Sequence, residues 1–440
     1  MRLKQSVTLC VIMKLVKNRR TCKVGSDSIM QDKQQPKNQK KPKRARLNSK
    51  AKMLIAAVCF LVVLVLQFVV NAGEDVYIRM VSTERGVSFS FDSSPTFHSN
   101  DSRDFYFVTR DGISFRSSRD SRDTIHWSDS FNFIRPISVS RGEFVAVSAP
   151  NARLVYVYNS SGQAFRVNTD YPITFFSVNE TGFLSVITQT NSGFVVEVYN
   201  ERSRSLARPI FRRTIPDNMN IPTSVEVSPD GRFIAIAILD LNIHLRTRVQ
   251  FNFINERDVT LGSYGLFATE IFEGQLVSAL RFIDNNRLIV ATTSQILCFQ
   301  VETMQELWNI ELTNQINLEF CDNRFAFVTG DRLLGDFENS DPIGMVRIFD
   351  MTGTETGYFN LGRRATHLRL GHGTVLVGSD RTFHAINHRG VLQWEFTVGS
   401  ETRDVIFLEN TDTVLVIGTH RAEIWERRRI RAEDEEFVVF

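Results

Sequence analysis

Four acidic side chains crowd one short stretch of this 440-residue chain: Asp331, Asp336, Glu338 and Asp341, within GDRLLGDFENSDPI (Gly330–Ile343). Clustered carboxylates are what a hard cation such as calcium takes as ligands, and they equally suit a basic partner. Their spacing fits no known calcium loop, and the plainer reading is a solvated loop. Long loops on a rigid scaffold are nonetheless where binding residues concentrate, so these four form the candidate binding loop. Arg257–Gly274 reads as a similar expansion two repeats earlier, and Arg116, Arg119 and Arg122, set among Ser and Asp, read as a mixed surface.

Other chemistry is harder to assemble. All eight histidines fall after residue 73. His367 and His372 flank a strand-like segment. His384 and His388 lie four apart where the pattern predicts a strand running into a turn, which sets them about 13 Å apart, too far for one zinc ion. No HExxH, CxxC, GxSxG or P-loop pattern occurs. Cys10, Cys22, Cys59, Cys298 and Cys321 are too few and too scattered for a disulfide framework. Cys298 and Cys321 sit in apolar strand-like contexts and read as buried thiols. The matches Asn100-Asp101-Ser102, Asn159-Ser160-Ser161 and Asn179-Glu180-Thr181 to glycosylation sequons are what chance gives in so Asn/Ser/Thr-rich a chain. No catalytic, metal or cofactor-binding set emerges.

The elements that would carry such residues are set by a sharp partition of charge. Residues 1–52 hold 16 of the 52 Lys+Arg against Asp27 and Asp32, and the chain after Gly73 uses arginine without a single lysine. Between them runs MLIAAVCFLVVLVLQFVV (Met53–Val70), with Gln67 its one polar side chain. Eighteen helical residues at 1.5 Å each span roughly 27 Å, close to a bilayer core of about 30 Å. Lys41, Lys43, Arg44, Arg46, Lys50 and Lys52 precede the run, and Glu74 and Asp75 follow it. The positive-inside rule then predicts a cytoplasmic N-terminus and an extracytoplasmic body. A cleaved signal peptide ending near Val70-Asn71-Ala72 is the rival, although its apolar region is usually about 7–15 residues. The expected layout is a disordered basic cytoplasmic tail at 1–52, a transmembrane helix at 53–72 and one domain at 73–440. Met30 is an alternative start. The tail's basic cluster reads as a topology and lipid-headgroup signal, and no nucleic-acid partner is expected.

Within 73–440 a short apolar strand recurs eight times, from Phe105–Val108 through Phe144–Val147, Phe183–Val186, Phe233–Ile236, Leu288–Ala291, Phe325–Val328 and Val375–Gly378 to Val414–Ile417. A strand and a Gly/Asn/Asp turn precede each copy, as in TSVEVS before Ser228-Pro229-Asp230-Gly231. Strands ending in aromatics follow, as in Leu154–Tyr158. Four antiparallel strands per repeat of about 40–55 residues is the blade period of a β-propeller. Continuously apolar second strands fit sheets packed on both faces. The expectation is an all-β, eight-bladed propeller of four-stranded blades, with seven blades as the alternative. The last unit lacks a fourth strand, which Val76–Val81 or Glu436–Phe440 could supply.

TVLVGSDRTFHAINHRGVLQWEFTVG (Thr374–Gly399) resembles a PQQ-like (quinoprotein-type) propeller repeat, with Gly378-Ser379, Phe383–Ile386, Gly390 and Trp394 as matching elements. Leu288–Leu312 is a weaker copy carrying Trp308, and Val225–Ile238, around SPDG, looks more like a WD40 or TolB unit. Together with the basic tail and single span, residues 40–440 resemble an uncharacterised Gram-positive bacterial family of single-pass membrane-anchored PQQ-like propeller proteins. The resemblance implies a fold and a place, not a reaction. Trp127, Trp308, Trp394 and Trp425 read as blade-packing anchors rather than a redox site. The function expected is a membrane-anchored scaffold, held in the lipid bilayer by residues 53–72, that binds an extracytoplasmic protein or cell-wall ligand without catalysis. The alternatives are an envelope enzyme with its site at the propeller channel and a sensor that couples ligand binding to the tail.

Overall fold

Both faces of the second strands meet another sheet. In the computed structural model of the protein, Phe233–Asp240 alternates its contacts: Phe233, Ala235 and Ala237 pack towards the following repeat, and Ile234, Ile236 and Ile238 towards the preceding one. No polar face survives on such a strand, which explains its unbroken apolar run. The structure describes residues 76–431 apart from 91–94, 101–103, 119–123, 202–207, 217–218, 243–245, 255–264, 313–314, 322, 331–342 and 409–411. The basic tail and the apolar run at 53–72 lie outside the described residues. Among the described residues, no helix is long and apolar enough to cross a membrane.

Eight four-stranded antiparallel sheets form the blades. In chain order they are blade 1 (Thr96–Ser130), blade 2 (Ile137–Asn168), blade 3 (Ile173–Pro216), blade 4 (Asn220–Glu273), blade 5 (Val277–Glu311), blade 6 (Gln315–Asn360), blade 7 (His367–Thr397) and blade 8 (Asp404–Arg431). Blade 8 takes its fourth strand from the other end of the chain. Val76–Ser88 lies antiparallel along Arg421–Arg431, with Val76 opposite Arg431 and Ser88 opposite Arg421. The ring is thus eight-bladed, and the first of the two strands considered for its closure is the one used. Leu266–Glu273, expected within a loop expansion, is instead the fourth strand of blade 4.

The core is divided into eight apolar clusters, and each joins two neighbouring blades. One contains Val277, Leu280 and Leu288 of blade 5 against Phe251 of blade 4, and the last joins Leu415 and Ile424 of blade 8 to Phe97 and Phe105 of blade 1. Tryptophans take part where they were expected to. Trp127 of blade 1 and Trp308 of blade 5 stack on Tyr158 and Phe325 of the following blades. Their indole N–H groups donate to Ser160 and Met351 carbonyls in the next blade's turn, at 2.9 and 3.3 Å. Trp127, Trp308 and Trp394 share one site: each follows a β-bulge in the fourth strand. Trp425 differs, lying on a third strand.

Turns repeat as faithfully as strands. In Asn179–Gly182, Ser228–Gly231, Asp350–Gly353 and Asn387–Gly390, the glycine N–H donates to the first residue's carbonyl at 2.9–3.1 Å. The first side chain meanwhile accepts from the backbone beyond the glycine, as Asn179 does from Phe183 and Asp350 from Thr354. All four glycines have positive φ, the region a Cβ disfavours. At Gly231 a Cβ would also fall 2.3 Å from the Phe183 ring of blade 3, whereas at Gly274, with nearly the same φ, it would meet nothing within 4 Å. Gly231→Ala should therefore destabilise the protein by about 1–3 kcal/mol more than Gly274→Ala, the overpacking cost beyond shared backbone strain. Denaturant unfolding of both variants measures the difference, and equal losses would show that Phe183 yields freely.

Candidate functional site

First strands of successive blades lie against one another, so they form the innermost layer. Each carries one apolar anchor, buried at Val225, Leu280 and Leu368 and partly buried at Leu318. The next residue faces the other way, towards the channel. In blades 4, 5, 6 and 7 that residue is Glu226, Arg281, Glu319 and Arg369, alternating in sign.

These side chains join into a belt. Arg141 of blade 2 pairs with Glu226 of blade 4 and skips blade 3, a reach possible only across the channel. Arg281 acts electrostatically on both Glu226 and Glu319. Arg369 extends Nη1 to Glu319 at 2.5 Å and Nη2 to Asp404 of blade 8 at 2.7 Å. Blade 3 contributes Ser177, whose hydroxyl donates to the Val225 carbonyl at 2.9 Å. His98 of blade 1 closes the circuit, with Nε2 2.7 Å from Ser138 and Nδ1 2.9 Å from Ser140 in blade 2. Three arginines and three carboxylates thus balance around the channel.

Burial governs the protonation of the belt. It pushes the Glu226 carboxyl up, against the opposing pull of Arg141 and Arg281. Glu319 is likewise pushed up by burial against Arg369. Burial works against the Arg369 cation, yet Asp404 and Glu319 together outweigh it and raise its pKa. His98 is pushed down to about 4, burial outweighing the attraction of Asp404.

Between the first strands of blades 6, 7 and 8 the channel widens into a cavity of about 260 Å³. Asn317, Glu319, His367, Arg369, Arg403 and Asp404 line it. His367 fixes one wall: its Nε2–H donates to the Arg403 carbonyl at 3.1 Å, leaving Nδ1 to accept from the Thr366 hydroxyl at 2.8 Å.

The residues singled out from sequence fare differently. Asp331, Asp336, Glu338 and Asp341 lie outside the described residues, as do Arg119 and Arg122. Arg116 stacks over Phe107 at 5.0 Å. His372 donates from Nε2 to the Leu408 carbonyl at 3.0 Å, tying blade 7 to blade 8. His384 sits on a strand with Nδ1 3.3 Å from Glu395. Among the described residues no group of three His, Cys, Asp or Glu is placed to hold a metal ion. Neither Cys298 nor Cys321 forms a disulfide; Cys298 is buried, which pushes its thiol up to about 12, whereas Cys321, expected to be buried, is only half-buried, with its thiol 3.8 Å from the Asn323 amide oxygen. The Asn179 amide is buried and spends its donors on the Val227 and Ser228 carbonyls, so that sequon is structural. The belt itself was not anticipated. Its signal lay in four inner strands that read S-V-E-V, A-L-R-F, N-L-E-F and H-L-R-L, each with one charge between apolar neighbours.

The profile of a family of unknown function (DUF5711) matches residues 102–425, most of the propeller. The chain belongs to this family. Among solved structures, the C-terminal WD40 domain of Sif2 is similar, with a TM-score of 0.56 at 11% identity over 80% of this chain and 99% of that one. BamB from Moraxella catarrhalis is also similar, with a TM-score of 0.46 at 13% identity over 80% of this chain and 100% of that one. No curated protein sequence gives a significant match. At such identities the likeness extends to the propeller fold alone.

Two consequences of the belt can be measured. Arg141→Met leaves the buried Glu226 carboxylate short of a partner and should cost about 3 kcal/mol in denaturant unfolding. Adding Glu226→Gln should recover part of that loss, and a fully additive pair would show the two groups to be uncoupled. His98 binds its proton less readily folded than unfolded, so its contribution is present above pH 6.5 and lost as pH falls towards 4. The loss is at most about 3 kcal/mol. His98→Gln removes this component, and its stability should fall less steeply than wild type between pH 7 and 4. Parallel curves would mean that His98 is not held neutral.

Proposed function

We propose that this DUF5711 protein is a membrane-anchored extracytoplasmic scaffold that binds a protein or cell-envelope ligand through its propeller. The carrying observation is a set of apolar side chains on the links between blades. Ile134, Tyr171, Met219 and Leu276 are exposed on the four successive links that join blades 1 to 5, and Leu241 is exposed on the second-to-third-strand turn of blade 4. In an antiparallel four-stranded blade these links and that turn share one face of the ring. Leu241 N–H indeed donates to the Met219 carbonyl at 3.0 Å. Large apolar groups gathered on a face, where solvation favours polar ones, are the usual mark of an interaction surface.

The charged channel residues support binding over catalysis, because they neutralise one another in fixed pairs rather than standing poised as acid and base. The anchor follows from the apolar run at 53–72 and its flanking lysines and arginines, with the basic tail cytoplasmic as in the Gram-positive anchored propellers the chain resembles. Crosslinking of the full chain in cells should recover envelope protein or wall material. Charge introduced at Ile134, Tyr171 and Leu276 together should abolish that capture. Protease added to spheroplasts should degrade the propeller and spare the tail. Loss of the tail alone would invert the topology, and turnover of an envelope substrate without stable capture would replace the scaffold by an enzyme.

A further inference from the structure

The strands that close the ring end in a cationic ribbon. Beyond the pairing of Thr413 with Glu426, Val76–Met80 and Arg427–Arg431 continue as two strands only. This end lies on the face opposite the interblade links, because Val76–Ser88 runs from it to the link into blade 1. Arg79 stands directly across from Arg428 in the ladder, and like charges so placed weaken an antiparallel pair. Arg428 shares Glu426 with Arg85, and Arg427 takes Asp412 at 3.1 Å. Among the described residues, the exposed Arg79 pairs with no carboxylate.

Blade 7 brings further cations to the same corner. Met80 packs with Trp394, so the ribbon runs beside Leu392–Thr397. The turn before that strand carries His388 and the exposed Arg389. Arg324 of blade 6 reaches over the neighbouring turn, its Nη1 3.3 Å from where a Cβ on Gly373 would stand. Burial, then Arg324 and Arg389, hold His388 below its usual range. Asp350 lies in the field of Arg324, whereas Arg389 pairs with no described carboxylate. Next to Arg389, Val391 and Leu392 are 54% and 42% exposed.

One segment of the chain has the complementary chemistry. Residues 432–440, AEDEEFVVF, follow Arg431 directly and lie outside the described residues. Four acids, Glu433–Glu436, precede four apolar residues, Phe437–Phe440. The place in blade 8 that Glu436–Phe440 could have taken is filled by Val76–Ser88. Reach is sufficient. Arg431 lies four residues past the partner of Met80, about 13 Å along the ribbon, and the facing sheet is about 10 Å away. Nine residues span roughly 30 Å. Attachment beside the corner also gives the segment an effective concentration of millimolar order, which a separate partner must exceed.

We propose that residues 432–440 fold back onto the corner between blades 7 and 8 of their own propeller, with Glu433–Glu436 against Arg79, Arg428 and Arg389, and Phe437–Phe440 over Val391 and Leu392. The inference goes beyond the scaffold reading and does not depend on it, since the apolar links lie on the opposite face.

The propeller has no lysine of its own, so one introduced lysine reports its neighbours. The full chain in detergent carrying Arg389→Lys is treated with a carbodiimide, which joins an amine to a carboxylate in contact. Arg153→Lys, on the opposite face, is the control. Peptide mapping should find position 389 joined to Glu433–Glu436 within one molecule, at least tenfold above the control, and the yield should fall at high salt. Deleting residues 432–440 should speed amide exchange at Val391 and Leu392 at least fivefold. A yield no higher than the control, joining only between isotope-labelled and unlabelled copies, or unchanged exchange after the deletion would overturn the proposal. Envelope capture is read separately on the opposite face, so failure here leaves the scaffold standing, and loss of capture leaves this contact standing.

Discussion

Every interface in the ring depends on the pairing of Val76–Ser88 with Arg421–Arg431. Without it, blade 8 would end in a three-stranded sheet with an open edge, and an open edge invites pairing with another chain. Closure also sets the core. Met80 on the closing strand is buried against Val405, Phe407 and Trp394, so the strand completes the cluster between blades 7 and 8. Thr83 adds a hydroxyl bond to the Ile424 carbonyl at 2.8 Å, and Arg85 pairs with Glu426. The two ends of the domain are therefore one element energetically. Contacts so distant in sequence form late, after much loop-closure entropy has been lost.

Inside that closed ring, the belt solves a problem the fold creates. Eight inner strands converge on a narrow channel, and residues there can be neither fully dry nor fully solvated. Large apolar residues in every blade would overfill it. Charges of one sign would repel. Alternation lets blades 4 to 7 each bring a long side chain whose charge is cancelled by its neighbours, at the cost of desolvation that burial of Glu226 makes plain. The same cancellation makes the belt specific about blade order, because exchanging two blades would juxtapose like charges. It is weak evidence for stability and better evidence for uniqueness of the ring.

The repeat was legible because its cause is periodic. Packing between blades demands an apolar second strand each time, and the turns demand glycine after Asn, Asp or Ser, so eight units can be counted from residues alone. Ring closure was half legible: an incomplete last unit announced a missing strand but not its donor. The belt was not legible, because its six charged residues come from six blades and become neighbours only through the channel. Arg141 and Glu226 are 85 positions apart. A lone Glu in TSVEVS looks like any solvated alternate residue until the strand is known to be innermost. Leu266–Glu273 misled for the opposite reason. Half of its residues are exposed and only Phe272 is buried, as in an outer strand, and so its pattern resembles a loop.

The absence of lysine after residue 73 can now be argued position by position. At Arg369, one planar guanidinium directs separate nitrogens to Glu319 and Asp404, a span that a single ammonium cannot cover with the same geometry. Arg232 and Arg347 lie over the rings of Phe233 and Phe349 at 5.0 and 5.3 Å, where a delocalised cation stacks better than a compact one. Arg246 grips Asp240 with two nitrogens, at 2.9 and 2.7 Å, and the carboxyl falls to about 2 under the Asn242 backbone bond and that grip. Not every arginine is so constrained. Arg110 meets Asp111 on the surface at 3.4 Å, a contact worth little to either residue. Geometry therefore explains arginine where a fork or a stack is used, in the channel at Arg369 and within blades 4 and 6 at Arg232, Arg246 and Arg347, and leaves positions such as Arg110 as places where lysine could stand without structural loss.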